Sequence, residues 1–256
     1  MLARLEEVAR TAAVELVLPD EEREKHGRAA DADDPEDVDL AVVLGGDGTM
    51  LRALTRYLGT RVPVIGVNLG RVGFLTSMAE EELDAGLARV FAGEYRVVEL
   101  PTLEAEVDGR RVPAINDVVT ASSVPGRMVA LAWAVSGEDL GELPCDGVIC
   151  ATPTGSTAYN LSNGGPVLAR GLDALAITFI APHSLHARPL VVSRGADVVI
   201  TNRSVSVVAT VLVDGHEVGR LEPGAQVAAR LGDQSCLLAT LPETTFFTRY
   251  REVFAH

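Results

Sequence analysis

The sequence predicts an α/β domain built on a parallel sheet, followed by a mostly β domain. Three observations carry this reading. Apolar runs alternate with helix-period patterns as far as about residue 95, the order that produces parallel sheets. From there to about residue 232, short strand-like pieces are separated by turns. Apolar residues make up 47% of the 256, enough to fill one large core or two small ones.

Leu2, Leu5, Val8 and Ala12 recur at helical spacing and predict a helix over residues 2–12. Residues 14–18 read as a strand, and residues 19–38 as a mobile acidic segment exposed to water. The apolar run 40–44 reads as a buried strand that ends in Gly45, Gly46, Asp47 and Gly48. From Thr49 a helix is expected, with Leu51, Leu54, Tyr57 and Leu58 on its apolar stripe. Residues 62–67 form the next strand, and a second glycine-punctuated loop runs from Asn68 to Thr76. Two such loops at one sheet edge mark a crevice of the kind where open α/β sheets bind ligands. Leu83, Leu87 and Phe91 place a helix over residues 80–92.

Strands are expected at 97–103, 104–107, 112–119 and 128–135, with Asp108-Gly109 as a hairpin turn. A short helix falls within 156–170. Further strands fall at 201–213, 219–221 and 226–231, with Asp214-Gly215 as another turn. Residues 236–241 are apolar. The aromatic and basic tail 244–254 is expected to dock back on the first domain. The boundaries are therefore 1–95, joined by the returning tail 236–256, and 96–235.

Composition restricts the partners. A net charge of −14 argues against nucleic acid, whose phosphates need a basic surface. No apolar run approaches the roughly 18 residues of a membrane span. Residues 1–7 are charged and helical, unlike a secretory signal. Cys145, Cys150 and Cys236 are an odd set without metal-ligand spacing. They read as reduced thiols in a cytoplasmic protein.

Three stretches carry chemistry. A strand, a glycine turn and a helix start make an anion site, because free N–H groups and the helix dipole favour phosphate. An acid there opposes phosphate unless it binds a metal or takes a proton, so Asp47 reads as chemical; capping the helix is the alternative. Asn116-Asp117 offers donors and acceptors for ribose hydroxyls or a base edge, or makes an Asx turn. The run 152–157 is rich in hydroxyls and leads to Tyr159, whose ring can stack on a planar ligand. Ser162 to Pro166 extends the same polar strip, and a Ser/Thr-capped helix is the alternative. His183 and His186 have no cysteine or acid near them in sequence, which argues against zinc. A Gly-Lys-Ser/Thr phosphate loop is absent from the sequence.

The ordered set Gly45-Gly46-Asp47-Gly48-Thr49, Asn68-Leu69-Gly70, Gly73-Phe74-Leu75-Thr76, Asn116-Asp117, Asp146-Gly147, Thr152 to Tyr159 and Asp214-Gly215 resembles the NAD kinase family over roughly residues 40–250. The glycine-aspartate motif has relatives in phosphofructokinases and in lipid kinases. The 152–159 stretch is the more specific part. The resemblance implies an N-terminal parallel-sheet, Rossmann-like domain plus a mostly β C-terminal domain. It implies phosphorylation of the 2′-hydroxyl of the adenosine ribose of NAD, by ATP or polyphosphate, with Mg²⁺ or Mn²⁺ accompanying the donor. Asp47 would be the general base. Gly46 and Gly48 would leave room for phosphate, and Arg52 would face it. Thr49 and Phe74 join the nucleotide-binding set, and Asn116 and Asp117 would bind the nicotinamide-side ribose or the adenine region. Asp146, Thr157, Ala158, Tyr159, Asn160, Leu161 and Ser162 would hold the adenine end, with Arg127 and His216 as further NAD contacts. The family also implies a homodimer or homotetramer. A lipid or sugar kinase, or a non-catalytic dinucleotide sensor, is the alternative. Two departures stand out. Asp117 stands where many members have the longer Glu. The family's first strand, expected ahead of residues 2–12, is missing, so the native start is expected to lie upstream.

Overall fold

The computed structural model describes residues 1–27, 37–70 and 73–255. Its contacts divide the chain into two units, Met1–Glu99 with Cys236–His256, and Leu100–Ser235. Unit 1 opens with α1 (Leu2–Thr11) and α2 (Asp20–Lys25). Strand β1 (Ala41–Leu44) follows, then α3 (Asp47–Arg56), β2 (Val64–Asn68) and the short β3 (Met78–Ala79). A 3₁₀ turn then leads into α4 (Leu83–Phe91). Strands β1 and β2 pair in parallel with Ala41 opposite Val64 and Leu44 opposite Val67, and β3 also joins β2 in parallel. The expected parallel sheet is therefore present. Strand β2 is buried along its whole length because helices cover both its faces. Leu5 of α1 and Leu83, Leu87 and Val90 of α4 pack with Ile65 and Val67 in one cluster. Met50 of α3 approaches Gly66 so closely that a Cβ there would lie 2.5 Å from the Met50 Sδ.

Several local expectations need correction. Residues 14–18 are not in a sheet; they form no ladder. Residues 20–25 of the acidic segment are helical, with Asp20, Glu21 and Glu22 in the first turn where the helix dipole favours them. Residues 28–36 of that segment lie outside the described residues. Helix α3 begins at Asp47, two residues before the expected start, and Gly46 is its N-cap. The buried stripe is accordingly Met50, Leu54 and Tyr57, while Leu51 and Leu58 are only half-buried. Strand β1 is less buried than its apolar run suggests, because it ends the strand order.

Unit 2 is a two-sheet β structure. In chain order it holds β4 (Arg96–Val107, shared with unit 1 at its start), β5 (Arg110–Ala114), β6 (Asp117–Ser122) and β7 (Val129–Val135). Then come β8 (Glu138–Cys145), β9 (Gly147–Ala151), α5 (Tyr159–Ser162) and β10 (Ala174–Ile180). Strands β11 (Leu190–Ser193), β12 (Val198–Asn202), β13 (Ala209–Val213), β14 (His216–Leu221) and β15 (Gln226–Thr240) complete it. One sheet has the order β11-β10-β9-β6-β13-β14. The other includes β15-β12-β7-β8, with β4 and β5 beside β15. Leu103, Leu131, Ile177, Val198 and Val211, from both sheets, share one core cluster. Strands β12 and β13 alternate buried and half-buried positions, as a sheet with one face on a core should. The Asp108-Gly109 and Asp214-Gly215 turns have both residues in the left-handed region, at φ 51° and 70° and φ 47° and 83°, as a two-residue hairpin turn of type I′ requires.

The expected strand boundaries shift where the chain changes sheets. The run 112–119 is two strands, because β5 belongs to one sheet and β6 to the other. The run 201–213 divides into β12 and β13 for the same reason. Conversely, 97–107 is one strand through Pro101, and 226–240 is one strand through Gly232.

From Cys236 the chain is again in unit 1, where Leu238 of β15 pairs in parallel with Val64. Helix α6 (Phe246–Phe254) closes the chain, capped by the Thr245 side chain, which accepts the Thr248 N–H at 3.1 Å. The Arg89 guanidinium donates to the Glu243 carboxylate at 2.5 Å and the Thr244 hydroxyl donates to the Ser77 carbonyl at 2.9 Å. Through these contacts the tail packs on the rest of unit 1.

Gly66→Ala tests the α3–β2 contact, because the new methyl meets Met50 and Thr76. Overpacking of this kind costs about 1–3 kcal/mol. We expect a lower urea midpoint with an unchanged denaturant slope; a midpoint equal to that of the parent protein would refute the close approach.

Candidate active site

In unit 1 the site grows from the turn between β1 and α3. Gly46 is extended at φ −88° and ψ −173°, and its carbonyl accepts the N–H groups of Thr49 and Met50. The first N–H groups of α3, on Asp47 and Gly48, have no carbonyl one turn back within the helix. Side-chain room at Gly46 and Gly48 is open, with nothing in the chain within 4 Å. A Cβ at Gly45, in contrast, would lie 2.7 Å from the Thr49 hydroxyl. Gly45 is therefore required by the chain itself, whereas Gly46 and Gly48 leave a vacant surface beside a helix N-terminus. Arg52 is exposed one turn along α3.

Asp47 does not cap its own helix. Its carboxylate accepts the Phe74 N–H at 2.8 Å on Oδ2 and the Leu75 N–H at 3.0 Å on Oδ1. A Cβ at Gly73 would lie 2.2 Å from Oδ1, so glycine is the residue that lets the loop close on the carboxylate. Each carboxylate oxygen has a second lone pair, so both remain able to accept another hydrogen bond. The Phe74 ring is half-buried and lies 6.1 Å and 5.7 Å, centroid to centroid, from Phe246 and Phe254. Residues 71 and 72 of this loop lie outside the described residues.

In unit 2 the corner between β5 and β6 carries Asn116 and Asp117. Asn116 sits between the two strands, and Asp117 begins β6. The Asp214 carboxylate holds this corner: it accepts the N–H groups of Ile115 at 2.8 Å, Asn116 at 2.7 Å and Asp117 at 3.1 Å. Gly155 is pressed against the same corner, and a Cβ there would lie 2.0 Å from the Asn116 carbonyl. The corner is thus fixed by Asp214 on one side and by the hydroxyl run on the other.

That run mostly serves its own backbone. Thr152 donates to the Ile115 carbonyl at 2.6 Å, Ser156 to the Pro153 carbonyl at 2.6 Å and Thr157 to the Thr154 carbonyl at 3.1 Å. The Thr154 hydroxyl is buried without a partner among the described residues. Asn160 needs correction as a ligand side chain. It is fully buried, its amide donates to the Ser156 and Pro166 carbonyls, and its oxygen accepts from Thr178 at 2.6 Å. Both ends of the amide are used inside the fold, and Gly165 leaves space for it. Tyr159 stands out by contrast: it is 46% exposed, so a ring face is open to a ligand. Ala158 and Leu161 are half-buried, and Ser162 and Asp146 are exposed. Arg127 lies on an exposed turn whose backbone N–H bonds the Val124 carbonyl. His216 is exposed at the start of β14, with its Nδ1 3.1 Å from the Asp214 carbonyl.

Asp117 is buried, and its carboxyl is pushed up to about 7, first by burial and then by the negative charge of Asp214. Burial also pushes the Cys145 and Cys150 thiols up to about 12, which keeps them neutral and unreactive. Among the described residues no group of three His, Cys, Asp or Glu side chains could hold a metal ion, and His183 and His186 make no such group. No helix among the described residues is long and apolar enough to cross a membrane. The sequence marks Asp214 as a turn residue and as part of the resembling motif set but gives its carboxylate no role, because an Asp-Gly pair does not reveal which distant N–H groups its carboxylate meets.

Comparison with known proteins sets the chain beside the NAD kinases. The sequence matches the family models for the ATP-NAD kinase N-terminal domain over residues 5–95 and the ATP-NAD kinase C-terminal domain over residues 115–241. The NAD kinase of Heliobacterium modesticaldum is 43% identical over 220 residues, covering 84% of this chain and 78% of that protein. That of Corynebacterium diphtheriae is 36% identical over 245 residues, covering 93% of this chain and 76% of the relative. Among solved structures, an NAD kinase from Archaeoglobus fulgidus in complex with ATP superposes with a TM-score of 0.78 at 28% identity, covering 98% of this chain and 94% of that one. Yeast NADH kinase complexed with NADH also gives 0.78, at 26% identity, covering 87% and 69%.

The Asp117 carboxyl gives a pH prediction. Its folded value of about 7 lies above the ordinary 3.8, so between those limits the folded state holds a proton that the unfolded state has released. This group's contribution to stability therefore falls as pH rises from about 4 to about 7 and is level above that. Asp117→Asn removes the ionisation. Urea unfolding should show the variant gaining stability relative to the parent between pH 5 and pH 8; a difference independent of pH would mean that Asp117 is ionised freely in the fold.

Proposed function

The chain belongs to the NAD kinase family, and we infer that it phosphorylates the 2′-hydroxyl of the adenosine ribose of NAD to give NADP, with Asp47 as general base. The observation that carries the residue assignment is the carboxylate of Asp47, held by two loop N–H groups beside a glycine turn with vacant side-chain space. In the proposed reaction Asp47 accepts the hydroxyl proton while the ribose oxygen bonds to the terminal phosphorus of the donor. The bond from that phosphorus to its leaving oxygen breaks, and the donor departs one phosphoryl group shorter. Little covalent work falls to the protein in such transfers; position and charge stabilisation dominate. The free N–H groups at the start of α3 suit the donor phosphates, and Arg52 adds a cation beside them.

ATP is the donor we favour, since a similar kinase was solved in complex with ATP; polyphosphate is the other donor considered. Mg²⁺ or Mn²⁺ would arrive with the donor, because such ions use phosphate oxygens with few protein ligands and the described residues form no three-ligand cluster of their own. When bound, the ion would neutralise charge building on the phosphates. For the dinucleotide, Tyr159 is proposed to stack on the adenine. The Asn116-Asp117 corner, Asp146, Arg127, Ser162 and His216 are proposed to supply polar contacts. We place the protein in the cytoplasm, in keeping with buried cysteine thiols at positions 145, 150 and 236. We also expect a homodimer or homotetramer, which would cover exposed Leu190 and Val191 on edge strand β11.

Purified protein incubated with NAD, Mg²⁺ and ATP should form NADP. Asp47→Asn should bind NAD but lose about 10²–10⁴-fold in turnover, because the amide cannot accept the proton. Wild-type turnover in that variant would remove Asp47 from the mechanism.

Tyr159→Ala should weaken NAD binding by about 1–3 kcal/mol, taking base stacking on aromatic residues as the guide. Calorimetry measures this directly, and an unchanged affinity would assign the exposed ring no part in binding.

A further inference from the structure

Loop 73–77, which grips Asp47, is itself held from the far end of the chain. Three residues of α6, Phe246, Tyr250 and Phe254, repeat every fourth position and form one aromatic stripe. The Phe74 ring packs against two of them, at 6.1 Å from Phe246 and 5.7 Å from Phe254. Tyr250 braces that pair, with its ring 6.4 Å from Phe246 and 4.9 Å from Phe254. Two hydrogen bonds fix the next part of the loop. The Arg249 guanidinium donates to the Thr76 carbonyl at 3.0 Å and the Thr244 hydroxyl donates to the Ser77 carbonyl at 2.9 Å. The Arg249 side chain is only 12% exposed, and Glu252 pairs with it at 2.7 Å, so its direction is fixed.

We propose that α6 is a positioning element for Asp47, acting through Phe74 and the 74–75 N–H groups. The proposal rests on the general-base reading of Asp47 given above. Its physical basis is that residues 74–76 lie outside helix and strand. The Phe74 and Leu75 N–H groups stay aimed at the carboxylate only while the loop is held on its other side. Arg249 and Thr244 hold its carbonyls and the aromatic stripe holds its ring. With α6 loosened, the loop shifts, the carboxylate loses two donors and turns about its side-chain bonds. A displacement of about 1 Å at a catalytic group costs on the order of a hundredfold in rate.

The test is a double-mutant cycle on the full chain. Phe254→Ala removes a ring at the last turn of α6, and Arg249→Met removes the bond to Thr76 while keeping an apolar stem. Both should remain folded by circular dichroism, and each should lower kcat by about ten- to a hundredfold. Phe254→Tyr, which keeps the ring, should restore the rate. In an Asp47→Asn background the same α6 substitutions should change the residual rate by less than about twofold, because the group they position is already disabled. Folded α6 variants with parental kcat would overturn the proposal. So would equal fold-losses in both backgrounds, which indicate a general structural effect. Parental turnover in Asp47→Asn alone would instead remove the base, and this proposal with it. The two failures are therefore distinguishable.

Discussion

The structure of unit 1 depends on one interaction: a carboxylate at the start of α3 that accepts two backbone N–H groups from a loop 27 and 28 residues further on. An acid at the first turn of a helix is favoured by the dipole whatever else it does. Here its oxygens point away from its own helix and fix the loop that follows β2. Gly73 permits this, because any side chain there would occupy the carboxylate's position. Met50 and Gly66 set the distance between α3 and β2, and so the distance over which Asp47 must reach. The carboxylate is therefore both the proposed reactive group and a structural acceptor, so its orientation depends on the loop as much as on its own rotamer.

Unit 2 uses the same device at a different place. Asp214 accepts three consecutive N–H groups at the point where the chain leaves one sheet and enters the other. Backbone donors at such a crossing have no ladder partner, and leaving them buried and unpaired is costly. Supplying the acceptor from a hairpin turn ties β13 and β14 to the Asn116-Asp117 corner. It also sets a negative charge beside Asp117, which with burial keeps the latter's carboxyl protonated further up the pH scale. A protonated carboxyl donates a hydrogen bond and an ionised one only accepts. The corner can thus present different hydrogen-bonding character on the two sides of neutrality.

The hydroxyl run 152–157 illustrates how a motif divides its labour. Thr152, Ser156 and Thr157 bond to carbonyls within the fold, and Asn160 is wholly consumed by its neighbours. These residues build a rigid turn that has little polar capacity left over. Tyr159 is set on that turn with its ring in solvent. Rigid support for an exposed aromatic is what stacking on a base requires, since little conformational freedom is then lost on binding.

The sequence by itself determined the fold class and the elements with strong local signals. The strand before Gly45, the helix after it, the two Asp-Gly hairpins and the docking tail all follow from apolar spacing and turn chemistry, which act over a few residues. Asp47 stands out in the sequence because an acid in a glycine turn conflicts with the anion site around it. Tertiary structure decided what depended on distant partners. No local pattern shows that the run 112–119 breaks at Asn116, because the break is made by Asp214, 98 residues away. Nor does spacing show that Asn160 is internal, since Thr178 and Pro166 use its amide. The stretch 14–18 had a strand's composition but found no ladder partner. The phase of α3 was set by its Gly46 start and by the Met50–Gly66 approach, which bury Leu54 but leave Leu51 and Leu58 of the expected stripe half-buried. The two N–H groups on Asp47 come from a loop whose position is held by residues 244–254, so only the folded chain could bring them there.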